Sequence, residues 1–130
     1  MLPLWAHGKC ENKRSDMFAE TQLDNYDIDW LYEIFHFPLS SRRSRMIKHS
    51  KAHGFEYSTF WPMPNPFTSG NIGCGGLLTI SRFPILDTRF ESFKESYSTD
   101  RMANKGILYS KIQLPSSYDN TQDTWYLHLF

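Results

Sequence analysis

Apolar residues in this chain gather in short runs separated by turn-forming residues. Leu77, Leu78 and Ile80 make one run; Ile107, Leu108, Tyr109 and Ile112 make another. Gly75-Gly76 precedes the first and Lys105-Gly106 opens the second. Runs this short, bounded by Gly and Pro, predict strands buried on both faces. Residues 86–94 between them predict a further, more exposed strand. Residues 125–130 alternate and predict a last strand, joined as a hairpin to residues 106–114 across the turn PSSYDNTQD. A polar loop, residues 97–104, lies between the two main runs, and such a loop held by rigid strands is a common place for a site.

The first half reads differently. Residues 1–9 show no period and predict irregular chain. Residues 11–23 predict a short helix, capped by Asn12 or Ser15, with Met17, Phe18 and Leu23 on its apolar face. Asn25 interrupts it, and residues 28–35 are rich enough in Ile, Trp, Leu and Phe to predict a buried strand. After Pro38, Ser40 and Ser41 suit the N-cap of a helix running to about His53. Leu39, Met46 and Ile47 supply its apolar stripe, and Arg42, Arg43, Arg45, Lys48 and Lys51 its other faces. Gly54 stands where a left-handed cap belongs. Residues 55–61 alternate as a strand does. Residues 62–73 are too rich in Pro, Asn and Gly for a helix or a central strand. Helix, strand, helix, strand, long loop and three strands predict a layered α/β (α+β) domain, with helices packed on a mixed sheet.

Charge narrows the partners. Lys+Arg and Asp+Glu are equal at 14 each, and no basic run exceeds Arg42-Arg43, so no nucleic-acid partner is expected. No apolar stretch reaches the roughly 20 residues that span a bilayer. The opening MLPLWAHGK turns polar too soon for a secretory signal. Cytoplasmic, membrane-associated and secreted locations all stay open, as does the oligomeric state. Cys10 and Cys74 form no metal-type cluster, and unpaired thiols are the expectation for both.

The segment GGLLTISRFPI, followed by DRMANKGILYSKI, resembles the middle of a neutral sphingomyelinase, a family of the endonuclease/exonuclease/phosphatase superfamily with the DNase I fold. The resemblance implies a four-layer αββα sandwich with helices on the outer faces. It implies that residues 1–130 are a single partial domain, truncated at both ends. It implies a magnesium-dependent phosphodiesterase that hydrolyses sphingomyelin to ceramide and phosphocholine at a membrane surface. The family's Thr-His motif, Asp-x-Asn pair and terminal Asp-His pair find no counterpart here, so the chain alone is expected to be inactive. The alternatives are another superfamily phosphoesterase, such as a nuclease or phosphoinositide phosphatase, and a non-catalytic truncated domain.

The same resemblance nominates residues. Glu33, in DIDWLYEIF, matches the family's magnesium ligand, with Tyr32 where the family has Gln. A hard divalent ion takes oxygen ligands, and one carboxylate with water and phosphate suffices for magnesium. Asp100 and Lys105 match an Asp-x-x-x-x-Lys-Gly arrangement beside the active site. There Lys105 would neutralise phosphodiester charge and Asp100 would hold it or position the loop. Asn104 is expected to donate to a phosphate oxygen. Read without the family, Glu33 is a charge at a strand end and Asp100/Lys105 a solvated pair worth little. His49 and His53 have the one-turn spacing of a zinc pair but no evident third ligand. His36 follows Glu33 closely, and His128 is expected to face away from the side that Leu127 and Leu129 fill. The aromatic-rich residues 60–67 are either a lipid-touching hairpin or, as favoured here, a loop packed on its own domain.

Overall fold

The computed structural model describes residues 4–32, 34, 41–60, 73–93, 103–116 and 124–130. The first helix, α1, runs from Leu4 to Gln22 and continues into a tighter turn, Leu23–Asn25. It begins well before residue 11, and Asn12 and Ser15 lie inside it and are not its caps. Gly8 inside a helix costs only about 1 kcal/mol, and packing against the second helix outweighs weak local propensity. Ala19 and Leu23 are buried with Phe18 against them, whereas Met17, expected on this face, is 61% exposed.

Strand β1 is Ile28–Leu31, helix α2 is Arg42–Ala52, and β2 is Tyr57–Phe60. Helix α2 ends as its sequence predicts. Gly54 has φ +84°, its N–H bonds the Lys51 carbonyl, and the Phe55 N–H bonds the Ser50 carbonyl. These two bonds satisfy carbonyls that a helix end leaves open. Ser41 occupies the N-cap but its hydroxyl makes no capping bond. Leu39, His36 and Glu33 lie outside the described residues, as does most of the loop 62–73.

Strand β3 is Gly73–Cys74, β4 Leu78–Ser81, β5 Ile85–Ser92, β6 Ala103–Asn104, β7 Gly106–Leu114 and β8 Trp125–Leu129. They form two antiparallel three-stranded sheets, β1-β4-β2 and β5-β7-β8; among the described residues parallel pairing joins β3 to β6. Strand β8 pairs antiparallel with β7, from Leu114↔Trp125 to Ser110↔Leu129, as the hairpin reading expected.

Side-by-side residues of antiparallel strands share a face. Leu78 and Ile80 of β4 therefore face the helices, where they join Ala19, Leu23, Ile34, Met46 and Phe55 in one core. Thr79 faces the other sheet and its hydroxyl bonds Ser110 Oγ at 3.1 Å; Thr59 likewise bonds Thr88 at 3.0 Å. Strand β4 is buried on both faces, as expected from its short run bounded by Gly and Pro, with the polar Thr79 and Ser81 turned inward along with Leu78 and Ile80. Strand β7 is not: Leu108, Ser110 and Ile112 are buried, but Ile107 is 46% exposed. Its outer side carries Tyr109, Lys111 and Gln113, with His128 of β8 bonded to the Tyr109 hydroxyl at 2.9 Å. The order of layers is helices, first sheet, second sheet.

One end of this stack holds the turns Tyr26–Asp27 and Arg82–Pro84. There Arg82 bonds the Tyr26 carbonyl and reaches Asp27 at 3.6 Å, while His53 bonds Asp24 at 2.8 Å. The opposite end collects the exits of β1, β2 and β5 and the entries of β4 and β7.

Candidate functional site

That opposite end is where the described candidate residues meet. Strand β3 lies beside β6, pairing Gly73 with Ala103 and Cys74 with Asn104. The chain then passes through Gly75 and Gly76 into β4 of the first sheet, while Asn104 and Lys105 lead into β7 of the second. The two connections touch. A Cβ on Gly75 would stand 2.5 Å from the Asn104 carbonyl oxygen and 3.1 Å from the Lys105 Cα, so only Gly fits there. On its far side this turn is held by the Ile34 N–H, which bonds the Gly76 carbonyl at 2.8 Å. Lys105 is fixed in turn, since its carbonyl accepts the Phe93 N–H at 2.9 Å. Backbone contacts thus run from Ile34 through Gly76 and Gly75 to Asn104 and Lys105.

Of the four residues nominated from sequence, two are therefore placed. Asn104 and Lys105 sit half-buried at this junction. Asp100 and Glu33 lie outside the described residues; Ile34, the residue after Glu33, is the one bonded to Gly76.

Two further residues stand here that sequence reasoning passed over. Cys74 is a buried thiol, only 3% exposed, packed where its strand pairs with Asn104. Arg43, read as one of several charges decorating α2, comes from the first turn of that helix. Its guanidinium lies 4.0 Å from the centre of the Phe60 ring, at the exit of β2. Burial pushes Arg43 below its ordinary pKa, and the nearby Cys74 sulfur acts in the opposite sense. The side chain of Cys10 is not among those described.

The histidines resolve separately. His49 lies 3.5 Å from Asp16, which also holds Arg45, and His53 bonds Asp24. The two are engaged by different carboxylates, and no group of three His, Cys, Asp or Glu among the described residues is arranged to hold a metal. His128 bonds the Tyr109 hydroxyl on the outer side of the second sheet.

Asp29, on β1, differs from the other acids. Its pairing with Ile80 sets it on the helix-facing side of the first sheet. Desolvation raises its pKa, partly offset by a backbone hydrogen bond at Trp30. Its Oδ2 is buried without a hydrogen-bond partner among the described residues, and so is the Trp30 indole N–H.

For a magnesium ion the described side chains at the junction are a poor set. Arg43 and Lys105 are cations, Cys74 is a thiol, and Asn104 alone offers an oxygen, whereas magnesium seeks carboxylates and water. What this end suits chemically is an anion: a backbone-fixed lysine, an amide, and an arginine held on an aromatic ring.

No family profile matches the chain. Over 124 residues, 95% of its length, it is 31% identical to a sphingomyelinase of Dictyostelium discoideum, spanning 27% of that protein. Among solved structures, SmcL superposes with a TM-score of 0.66 at 21% identity, over 89% of this chain and 38% of that one. Beta toxin from Staphylococcus aureus gives 0.68 at 20% identity, over 90% of this chain and 41% of that one. A double mutant of the same toxin with bound magnesium ions gives 0.67 at 19% identity, over 90% and 40%. The two helices and two antiparallel sheets are thus an α+β portion of that shared architecture. Sequence and fold together show that this chain resembles a portion of a sphingomyelinase with a DNase I-like fold.

Proposed function

We propose that the chain contributes to the active site of a magnesium-dependent phosphodiesterase that hydrolyses sphingomyelin to ceramide and phosphocholine. The observation that carries this reading is the junction itself. Contacts through Gly75 and Gly76 bring the residue following Glu33 to the same end of the fold as Asn104 and Lys105.

In this reading Glu33 is the carboxylate that holds magnesium, which when bound polarises a phosphoryl oxygen. Lys105 neutralises charge gathering on the phosphodiester, and the Asn104 amide donates to one of its oxygens. Asp100 holds Lys105 or orders the loop before it. A lipid substrate requires a bilayer surface; no helix among the described residues is long and apolar enough to cross one.

The test is phosphocholine release from sphingomyelin vesicles by the natural protein, with magnesium and with chelator. Magnesium-dependent release that Lys105→Ala lowers severely supports the reading. Absence of release in magnesium leaves a non-catalytic domain. Release of phosphate from a phosphoinositide, with sphingomyelin untouched, moves the activity to another branch of the superfamily.

A further inference from the structure

We propose that a hollow beside helix α2, lined by Arg45, Lys48, His49 and Ala52, binds a phosphate-bearing anion. The inference goes beyond the phosphodiesterase reading and does not depend on it.

Helix geometry makes the hollow. Positions 45, 48, 49 and 52 follow the i, i+3, i+4, i+7 spacing that sets side chains on one face of a helix. Met46 and Ser50 of the same helix are buried, so the lining face is turned away from the core. The hollow measures about 350 Å³ and all four side chains border it. That volume falls within the roughly 300–1,000 Å³ of small-molecule sites. Ala52 borders it with a single methyl group and leaves the space open. The described lining shares no residue with the Asn104–Lys105 junction.

Charge gives the ligand its sign. The chain as a whole is balanced, with 14 Lys+Arg against 14 Asp+Glu, yet α2 reads RRSRMIKHSKA, with no acidic residue. Asp16 of α1 fixes two of the lining groups. It accepts from Nε and Nη2 of Arg45, and its Oδ1 lies 3.5 Å from His49 Nε2. Lys48, between them on the same face, makes no hydrogen bond or ion pair among the described residues. Its charge is therefore uncompensated, while a guanidinium and an imidazole are already held in place around the same space. Three donors of different shape suit a group whose three or four oxygens point apart, as those of phosphate do, better than a flat carboxylate. Free phosphate and the headgroup of an anionic lipid share this chemistry.

The test reads binding by the natural protein. Inorganic phosphate is titrated calorimetrically, and sedimentation with phosphatidylcholine vesicles is measured with and without phosphatidic acid. Wild type is compared with Lys48→Gln, Ala52→Gln and Lys51→Gln, and each measurement is repeated with Lys105→Ala added, which removes anion binding at the junction. Lys48→Gln is expected to weaken binding about threefold to tenfold. Ala52→Gln fills the hollow without changing the charge and should weaken binding as well. Lys51→Gln removes the same charge from the same helix outside the lining, and should have little effect. Circular dichroism checks each fold, and should Lys48→Gln not fold, Ala52→Gln carries the test. Binding of phosphatidic acid vesicles without free phosphate, or the reverse, upholds the site and names the source. Equal losses in Lys48→Gln and Lys51→Gln, with none in Ala52→Gln, would reduce α2 to a solvated basic face and overturn the inference. No binding by wild type in either assay would overturn it too.

Discussion

Gly75 and Asn104 approach so closely that a side chain on Gly75 would stand 2.5 Å from the Asn104 carbonyl oxygen. The obstacle is backbone, so relief requires one of the two connections to move. Gly75→Ala is therefore expected to lower stability by about 1–3 kcal/mol, the usual cost of forcing an atom into filled space. It should also weaken phosphocholine binding, because Lys105 moves with Asn104. Urea unfolding and calorimetry report the two effects. An alanine variant as stable and as tight as wild type would show that the contact is slack.

Glu33 and Lys105 are separable by magnesium. Glu33→Gln keeps the shape and removes the charge, so magnesium-dependent release of phosphocholine should fall severely and recover in part as the ion concentration rises. Lys105→Ala should lower turnover with no recovery, since its effect runs through the phosphate. Activity titrated against magnesium for both variants decides it. A silent Glu33→Gln would remove the metal role from DIDWLYEIF, and a silent Lys105→Ala would leave Asp100 and Lys105 a surface pair.

Asp29 gives the protein a pH dependence of definite sign. Its folded pKa is raised by burial, so the folded state holds the proton more tightly than the unfolded chain. Stability from this group is fully present below the ordinary carboxylate value near 4 and is lost as pH climbs from there through the raised value. Asp29→Asn is uncharged throughout. It should raise the melting temperature at pH 7 and flatten its decline between acid and neutral pH. Thermal melts across that range would contradict the account if the variant were less stable at pH 7.

Gly54→Ala tests the end of α2. The residue sits at φ +84°, and a Cβ there would meet only the flexible Arg82 guanidinium, at an ordinary 3.4 Å. The expected loss is thus conformational alone, about 1–2 kcal/mol, seen as a lower urea midpoint with unchanged m-value. A larger loss would mean that the Arg82 contacts with Tyr26 and Asp27 are disturbed as well.

The sequence disclosed this fold unevenly, and the reasons are local. Gly54 announced its cap because few other residues tolerate that backbone, and β4 announced its double burial through a short run, Leu77, Leu78 and Ile80, bounded by Gly and Pro. The start of α1 was hidden because residues 1–9 show no apolar period, while the packing of Ala19 and Leu23 acts at a distance. Ile107 misled for the opposite reason: an apolar residue beside Leu108 suggests burial on both faces, yet β7 turns it outward. At the site, Asn104 and Lys105 were found through a motif. Arg43 was not, since nothing in RRSRMIKHSKA distinguishes the arginine that stacks on Phe60 from the one that bonds Asp16. Only the third dimension separates them.

Between the sheets, the pair Thr79–Ser110 is buried and joined by one hydroxyl contact of 3.1 Å. Thr79→Val leaves the Ser110 hydroxyl unsatisfied and should cost about 1–3 kcal/mol. Adding Ser110→Ala should recover part of that loss, because both polar groups are then gone. A double variant as destabilised as the sum of the singles would mean that the two hydroxyls do not interact.

That hydroxyl contact has a mechanical meaning. Greasy faces slide over one another with little resistance, but a short directional bond behaves like a dowel between two boards. Here one board carries the Gly75–Gly76 turn and the other carries Lys105, and the dowel joins β4 to β7, the strands into which those connections run. The gap between the two halves of the site is consequently gauged deep inside the sandwich, several residues from any group that would meet a substrate. Wear at that hidden joint would alter the fit of the mouth without touching its lining.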